Sequence, residues 1–211
     1  LEALQGLRES IPQAESDPTR PVYHFRPLAQ WMSDPCAAIY YEGNYHLFYQ
    51  FAPNADHATP EIRMCWGHAR SKDLIHWEYL PLALWASREV GERRCNSGSM
   101  TINRDGQPMI FYTSCPIEHK VARQQWAAIG SDDLLTWEKH PTNPLLTLET
   151  HGGPRFGIGW SDPCVFRVAG RDFMIIGAEL GNVVGSLRLV KCRQRAAMAG
   201  ARSGGKLGLK A

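Results

Sequence analysis

Two aspartates in this chain keep nearly the same company. Asp34 lies in WMSDPC, residues 31–36, and Asp162 in WSDPC, residues 160–164. In each copy a carboxylate stands between a serine and a proline, beside a tryptophan. Brought together, two such carboxylates make an acid pocket, suited to acid–base chemistry on a bound substrate. Taken singly, each is ordinary turn chemistry, with Asp bonding its own backbone and Pro fixing φ. Other residue types offer less. His46, inside the apolar run YHLFYQ, and His68, in WGHA, are expected to be packed or hydrogen-bonded structural residues; neither lies near a Gly-x-Ser-x-Gly elbow or a His-Glu-x-x-His pair. The cysteines at 36, 65, 95, 115, 164 and 192 have no Cys-x-x-Cys or His/Cys spacing suited to zinc, so no metal is expected on them.

The elements around the two aspartates repeat as well. YHLFYQ (45–50) returns as PMIFYTS (108–114) and as DFMIIGA (172–178), with Phe48, Phe111 and Ile175 spaced by 63 and 64 residues. Each run follows another strand-like run and a Gly-bearing turn (EGN, RDGQ, AGRD), which predicts three hairpins. A second motif, Ser-x-Asp-Leu-x-x-Trp, occurs at 71–77 and 131–137. Four short strands about every 60 residues, with a fixed aromatic per unit, is the pattern of a β-propeller blade. The rival, an all-β sandwich, gives regular turns but no reason for motifs to recur in order. In a propeller the inner strands surround a central channel, so Asp34 and Asp162, each just before the first strand of a blade, are expected to face one pocket, with Ser97 of NSGS at the matching place between them.

These residues resemble a known family. The stretch RPVYHFRPLAQWMSDPCAAIYYEGNYHLFYQFAPN, followed by CWGHARSKDLIHWEYLPLAL, is similar to the N-terminal part of glycoside hydrolase family 32, the invertases, inulinases and levanases, from about Arg20 to about Glu179. The resemblance implies a five-bladed β-propeller, here an incomplete arc of about three blades, and cleavage of fructosyl bonds in sucrose or fructans with retention. It implies Asp34 as nucleophile, Asp162 as the carboxylate that stabilises the transition state, and Gln50 as a residue binding the fructosyl unit. Trp66 and Ser97 match pocket-wall positions, and Ser33 and Asn96 stand where the family has other sugar-facing residues. A carbohydrate is the implied partner, without cofactor, nucleic acid or membrane, and an extracellular setting is the one favoured. Trp77 and Trp137, at equivalent repeat positions, are expected in blade cores; for Trp66 both sugar stacking and a core role stay open.

The departures define an alternative. Ser33 and Cys36 replace the family's asparagines, Asn96 replaces the phenylalanine of its Phe-Ser-Gly-Ser motif, and Ser161 replaces the arginine before the second aspartate, where a bidentate cation would otherwise stand. The family's acid/base glutamate, followed by cysteine, has no counterpart, and Glu179, at a strand end, is expected to be a solvated carboxylate. A non-catalytic carbohydrate-binding propeller is therefore the second reading. Charge is uneven along the chain: all 21 acidic residues lie at or before Glu179, while the remainder carries seven basic ones and no aromatic. A basic arm can bind nucleic acid, but this one lacks stacking aromatics. No run of about 18 apolar residues suits a membrane span. The expected organisation is an N-terminal extension (1–20), a partial propeller (21–190) and a basic, disordered or aberrant tail (191–211), with the blade pattern lost near residue 186.

Overall fold

A computed structural model describes residues 2–53, 64–118, 120–152, 156–180 and 183–191. They fall in two compact units, Leu1–Ala86 and Ser87–Ala211.

The first unit opens with a helix, α1 (Glu2–Ser16), which the strand pattern of the sequence does not announce. Pro12 inside it removes one backbone donor, a signal that ordinarily argues against a helix. A narrow stripe at Leu7, Ile11 and Ala14 holds it in place by joining Tyr49, Phe51, Cys65 and Ala69 in one apolar cluster. Ser10 Oγ, bonded back to the Gly6 carbonyl (2.8 Å), also accepts from Gln30 Nε2 (2.6 Å). Four antiparallel strands follow in chain order: β1 (Trp31–Tyr41), β2 (Asn44–Ala52), β3 (Cys65–Ser71) and β4 (Trp77–Leu84). The β1–β2 turn has Glu42 and Gly43 both left-handed (φ 46° and 78°), the two-residue hairpin geometry whose twist matches paired strands.

The second unit repeats the plan. Strands β5 (Glu92–Ile102), β6 (Pro108–Pro116), β7 (Gln124–Gly130) and β8 (Trp137–Lys139) form one antiparallel sheet, and β9 (Phe156–Val168), β10 (Arg171–Leu180) and β11 (Val183–Lys191) form another. The three predicted hairpins are all present, and β11 stays paired with β10 as far as Lys191, past the point near 186 where the pattern was expected to fail. Residues 192–211 lie outside the described residues. Met174, Ile176 and Ala178, alternating along β10, pack with Trp160 and Val165 of β9 against Met109 and Phe111 of β6 and Leu145, Leu146 and Leu148 of the segment after β8. The two sheets of this unit thus share one core.

The Ser-x-Asp-Leu-x-x-Trp repeat folds into two turns of the same shape, with the serine serving a different amide in each. Ser71 Oγ accepts from the Leu74 amide (2.8 Å), and Asp73 Oδ1 from those of Ile75 (2.9 Å) and His76 (2.8 Å). Asp133 Oδ1 accepts from Leu135 N (3.0 Å) and Ser131 Oγ from Thr136 N (3.0 Å). Leu74 and Leu134 are left-handed (φ 64° and 61°), and each motif's indole N–H closes the loop on that leucine's carbonyl, at 3.2 Å for Trp77 and 2.9 Å for Trp137. Both tryptophans are half-buried and close their turns; Trp77 also packs against the apolar cluster of its unit, edge-on to Phe25 at 5.0 Å, as expected of a blade-core residue.

Candidate active site

The opening strands β1, β5 and β9 break register at corresponding places. Ser33 and Asp34 together face Gln50, Asn96 and Ser97 face Thr113, and Asp162 and Pro163 face Ile176. The single partners recur at a constant step of 63 residues. Two residues against one is a β-bulge, which bends the strand and re-aims a side chain. Both aspartates lie inside their strands, not before them. Counted from these partners, the equivalent of Phe48 and Phe111 is the buried Met174, not the half-buried Ile175. Asp162, first of its pair, shares its slot with Asn96, whereas Asp34, second of its pair, shares that of Ser97.

In the first unit Asp34 is exposed, with Ser33 Oγ 3.3 Å from its Oδ1 and the Cys36 thiol 3.5 Å from its carbonyl oxygen. Gln50, opposite the bulge, is only 7% exposed. Trp66, paired with Gln50 across β2–β3, has no exposed surface at all; the pocket-wall expectation gives way to a core position, because β3 is covered on both faces. His46 and His68 share a buried hydrogen bond (Nδ1 to Nε2, 2.9 Å), and the His68 ring stacks on Phe48 at 4.1 Å. Burial lowers the pKa of both, and His68 is pushed down to about 3, with the His46 and Arg70 charges adding to the effect. They are neutral structural groups, as their setting in apolar strands suggested.

In the second unit Asp162 is exposed and left-handed (φ 62°), a conformation Asp tolerates better than most residues. Its amide donates to Thr113 Oγ1 (2.9 Å), and the Thr113 hydroxyl in turn donates to Gln125 Oε1 (3.0 Å). Gln125 Nε2 donates to the Trp160 carbonyl (3.2 Å), and the Val165 amide to Ser99 Oγ (3.0 Å). The strand carrying Asp162 is thereby pinned to the neighbouring sheet on both sides of the bulge. Arg123, just ahead of β7, sends Nη1 to Ser161 Oγ (3.3 Å), which lies 3.3 Å from Asp162 Oδ2. A guanidinium from the next sheet thus reaches the place where the resemblance expects an arginine in sequence. Thr113, Gln125 and Arg123 were not among the sequence candidates; the one available signal was that Thr113 sits 63 residues after Gln50. Ser97 is buried and Asn96 half-buried. The Glu179 backbone pairs with Val184 in β10, and its side chain lies outside the described residues.

A buried charged group supports this sheet. Glu92, 1% exposed, accepts from the Tyr112 hydroxyl (2.8 Å) and from Lys139 Nζ (3.0 Å), and Lys139 lies over the Tyr112 ring. Burial, with the nearby Cys95 and Glu92, holds the Tyr112 phenol well above its ordinary pKa. Among the described residues, no three His, Cys, Asp or Glu side chains converge as a metal ion would need.

The family model described as the glycosyl hydrolases family 32 N-terminal domain matches residues 24–192. The chain is 40% identical over 154 residues to the beta-fructofuranosidase insoluble isoenzyme CWINV3 of Arabidopsis thaliana, covering 71% of this chain and 25% of that protein. It is 41% identical over 171 residues to an acid beta-fructofuranosidase of Solanum lycopersicum, covering 77% and 26%. Among solved structures it resembles fructan 1-exohydrolase IIa of Cichorium intybus (TM-score 0.72, 32% identity, 83% of this chain and 32% of that one). It also resembles the beta-fructofuranosidase BmSUC1 of Bombyx mori (TM-score 0.71, 32% identity, 90% and 39%). The chain spans about a quarter of the length of these plant relatives. The blade hairpins, their shared bulge and a family match running from residue 24 to residue 192 lead to one conclusion: this chain belongs to glycoside hydrolase family 32 and carries the N-terminal part of its β-propeller domain.

Proposed function

We propose that the chain supplies two of the working carboxylates of a β-fructofuranosidase-type hydrolase acting on sucrose or fructans by a retaining mechanism. The observation that carries this reading is the placement of Asp34 and Asp162 on bulges of opening blade strands, in a chain matched to the family across both. Relatives described with 1-kestose and with sucrose bound support that substrate class. Asp34 attacks the anomeric carbon and forms a fructosyl ester as the glycosidic oxygen leaves; water then opens the ester with net retention. Asp162 takes no covalent part and faces the positive charge that develops on the ring. Ser33, Gln50, Asn96 and Ser97 hold sugar hydroxyls, while the buried Trp66 stands beside Gln50 as its cross-strand neighbour.

Retention also needs an acid/base carboxyl about 5–5.5 Å from the nucleophile, and none is assigned here. Protonation of the leaving oxygen contributes about 10²- to 10⁴-fold, so the 211-residue chain is expected to turn over sucrose negligibly. A fructosyl donor with a leaving group that needs no protonation should still label Asp34 slowly, read as a one-fructosyl mass gain on the peptide containing it and abolished by Asp34→Asn. Sugar binding without labelling would favour the non-catalytic carbohydrate-binding propeller. Robust sucrose turnover would show that a carboxyl of this chain, Glu179 first, acts as the acid.

A further inference from the structure

We propose that Arg123 is a positioning residue for the Asp162 carboxylate, acting through the Ser161 hydroxyl; the inference rests on the role proposed for Asp162. The direction of the hydrogen bonds carries it. A guanidinium can only donate, so in the 3.3 Å contact from Arg123 Nη1 the Ser161 oxygen is the acceptor. The Ser161 proton is then free to point the other way, toward Asp162 Oδ2 at 3.3 Å. The three groups form a one-way relay from cation to hydroxyl to carboxylate, and this fixes one carboxylate oxygen while the other stays available.

The setting makes the relay specific. Arg123 is half-buried immediately before β7, on the same strand approach as Gln125, whose amide holds the Trp160 carbonyl one residue before Ser161. Among the described residues no carboxylate lies within ion-pair distance of Arg123, in contrast to Arg104 and Arg167, which are both committed to Asp172. The Asp162 amide is held at the same time by Thr113. Backbone and side chain of one residue are therefore tied to the neighbouring sheet by separate contacts, the amide by Thr113 and the carboxylate by the Ser161–Arg123 relay. Its evident use is to aim a carboxylate at a positive charge.

The test compares two sugars on the whole chain: neutral fructose, and a protonated five-membered iminosugar that carries a cation where the ring charge develops. Affinities are read by ligand-observed NMR titration. The unsubstituted chain is expected to prefer the iminosugar, and Asp162→Asn to lose that preference. Arg123→Gln should weaken iminosugar binding about tenfold, the scale of one charge-assisted hydrogen bond, with fructose affinity and thermal unfolding unchanged. Ser161→Ala, which removes the middle of the relay, should do the same and keeps the question answerable if Arg123→Gln fails to fold. Ser161→Arg added to Arg123→Gln should restore the preference by bringing the guanidinium in directly. Loss of preference in Asp162→Asn with full preference in Arg123→Gln and Ser161→Ala overturns the role of Arg123 alone. No preference in the unsubstituted chain, or an unchanged one in Asp162→Asn, overturns the reading of Asp162 and the relay with it.

Discussion

Thr113 is the residue on which the fold and the candidate site depend together, and replacing it with valine separates shape from hydrogen bonding. Its side chain has no exposed surface, and its single hydroxyl serves two partners, accepting from the Asp162 amide at 2.9 Å and donating to Gln125 Oε1 at 3.0 Å. Valine fills the same volume but strands both groups. An unsatisfied polar group costs about 1–3 kcal/mol; the lower end suits the part-buried amide and the middle suits Gln125, which is 1% exposed. The sum is about 3 kcal/mol. With a urea slope of about 2 kcal/mol per molar, the unfolding midpoint of the second unit should fall by about 1.5 M. Thr113→Ser keeps the hydroxyl and loses one buried methyl, worth about 1 kcal/mol, so its midpoint should fall by only about 0.5 M. Amide hydrogen exchange at Asp162 gives the local readout: it should accelerate at least tenfold in Thr113→Val and stay near the original rate in Thr113→Ser. A valine variant as stable as the serine variant, or an unchanged Asp162 amide, would refute the argument that this hydroxyl pins the strand.

Three further outcomes are expected. Because His68 is held neutral to about pH 3 against about 6.5 when unfolded, the unfolded chain binds the extra proton first, and stability falls as pH drops through 6.5. The His68 share of the loss between pH 6.5 and pH 5 should be about 1.6 kcal/mol, and His68→Gln should remove that share from the pH slope of urea midpoints while leaving the part due to His46. Asp162→Asn should leave stability nearly unchanged, whereas Asp162→Val, forced to φ 62°, should lower it by about 1–2 kcal/mol in the same assay. Gly98→Ala would place Cβ 1.9 Å from the Phe111 carbonyl oxygen and should cost about 4 kcal/mol or more; Gly106→Ala, with open space around it but φ 81°, should cost about 1 kcal/mol. Equal costs for the two glycines, measured by thermal or urea unfolding, would contradict the close approach at Gly98.

Local turn chemistry was legible in the sequence because its causes are local. The glycine-bearing hairpins and the Ser-x-Asp-Leu-x-x-Trp repeat each satisfy their hydrogen bonds within a few residues, so their residue types announce them. The repeat of the SDPC motif led to the right strands for the same reason. The bulges were not legible: an inserted residue changes register without changing composition, which is why Ile175 stood in for Met174 and the aspartates were set before their strands. The helix α1 was hidden by Pro12, since its apolar stripe is only three residues wide. Trp66 is a half-exposed type by reputation and fully buried by position, and only knowing that β3 is an inner strand with both faces covered distinguishes the two. Thr113, Gln125 and Arg123 act across sheets on partners 35 to 49 residues away, a relation no spacing rule encodes.

The recurrent bulge also bears on how such a protein changes over time. Because the break in pairing falls opposite Gln50, Thr113 and Ile176 at a constant interval, copying a blade copies the orientation of whatever side chain occupies the slot. Aim and chemistry become separately heritable. The backbone preserves the first, while a single codon change alters the second: Asn96 and Asp162 share a slot and differ by one side-chain atom replacement, an amide nitrogen for a carboxylate oxygen. A repeat protein built this way can gain, lose or neutralise a charged group one blade at a time without searching for a new fold.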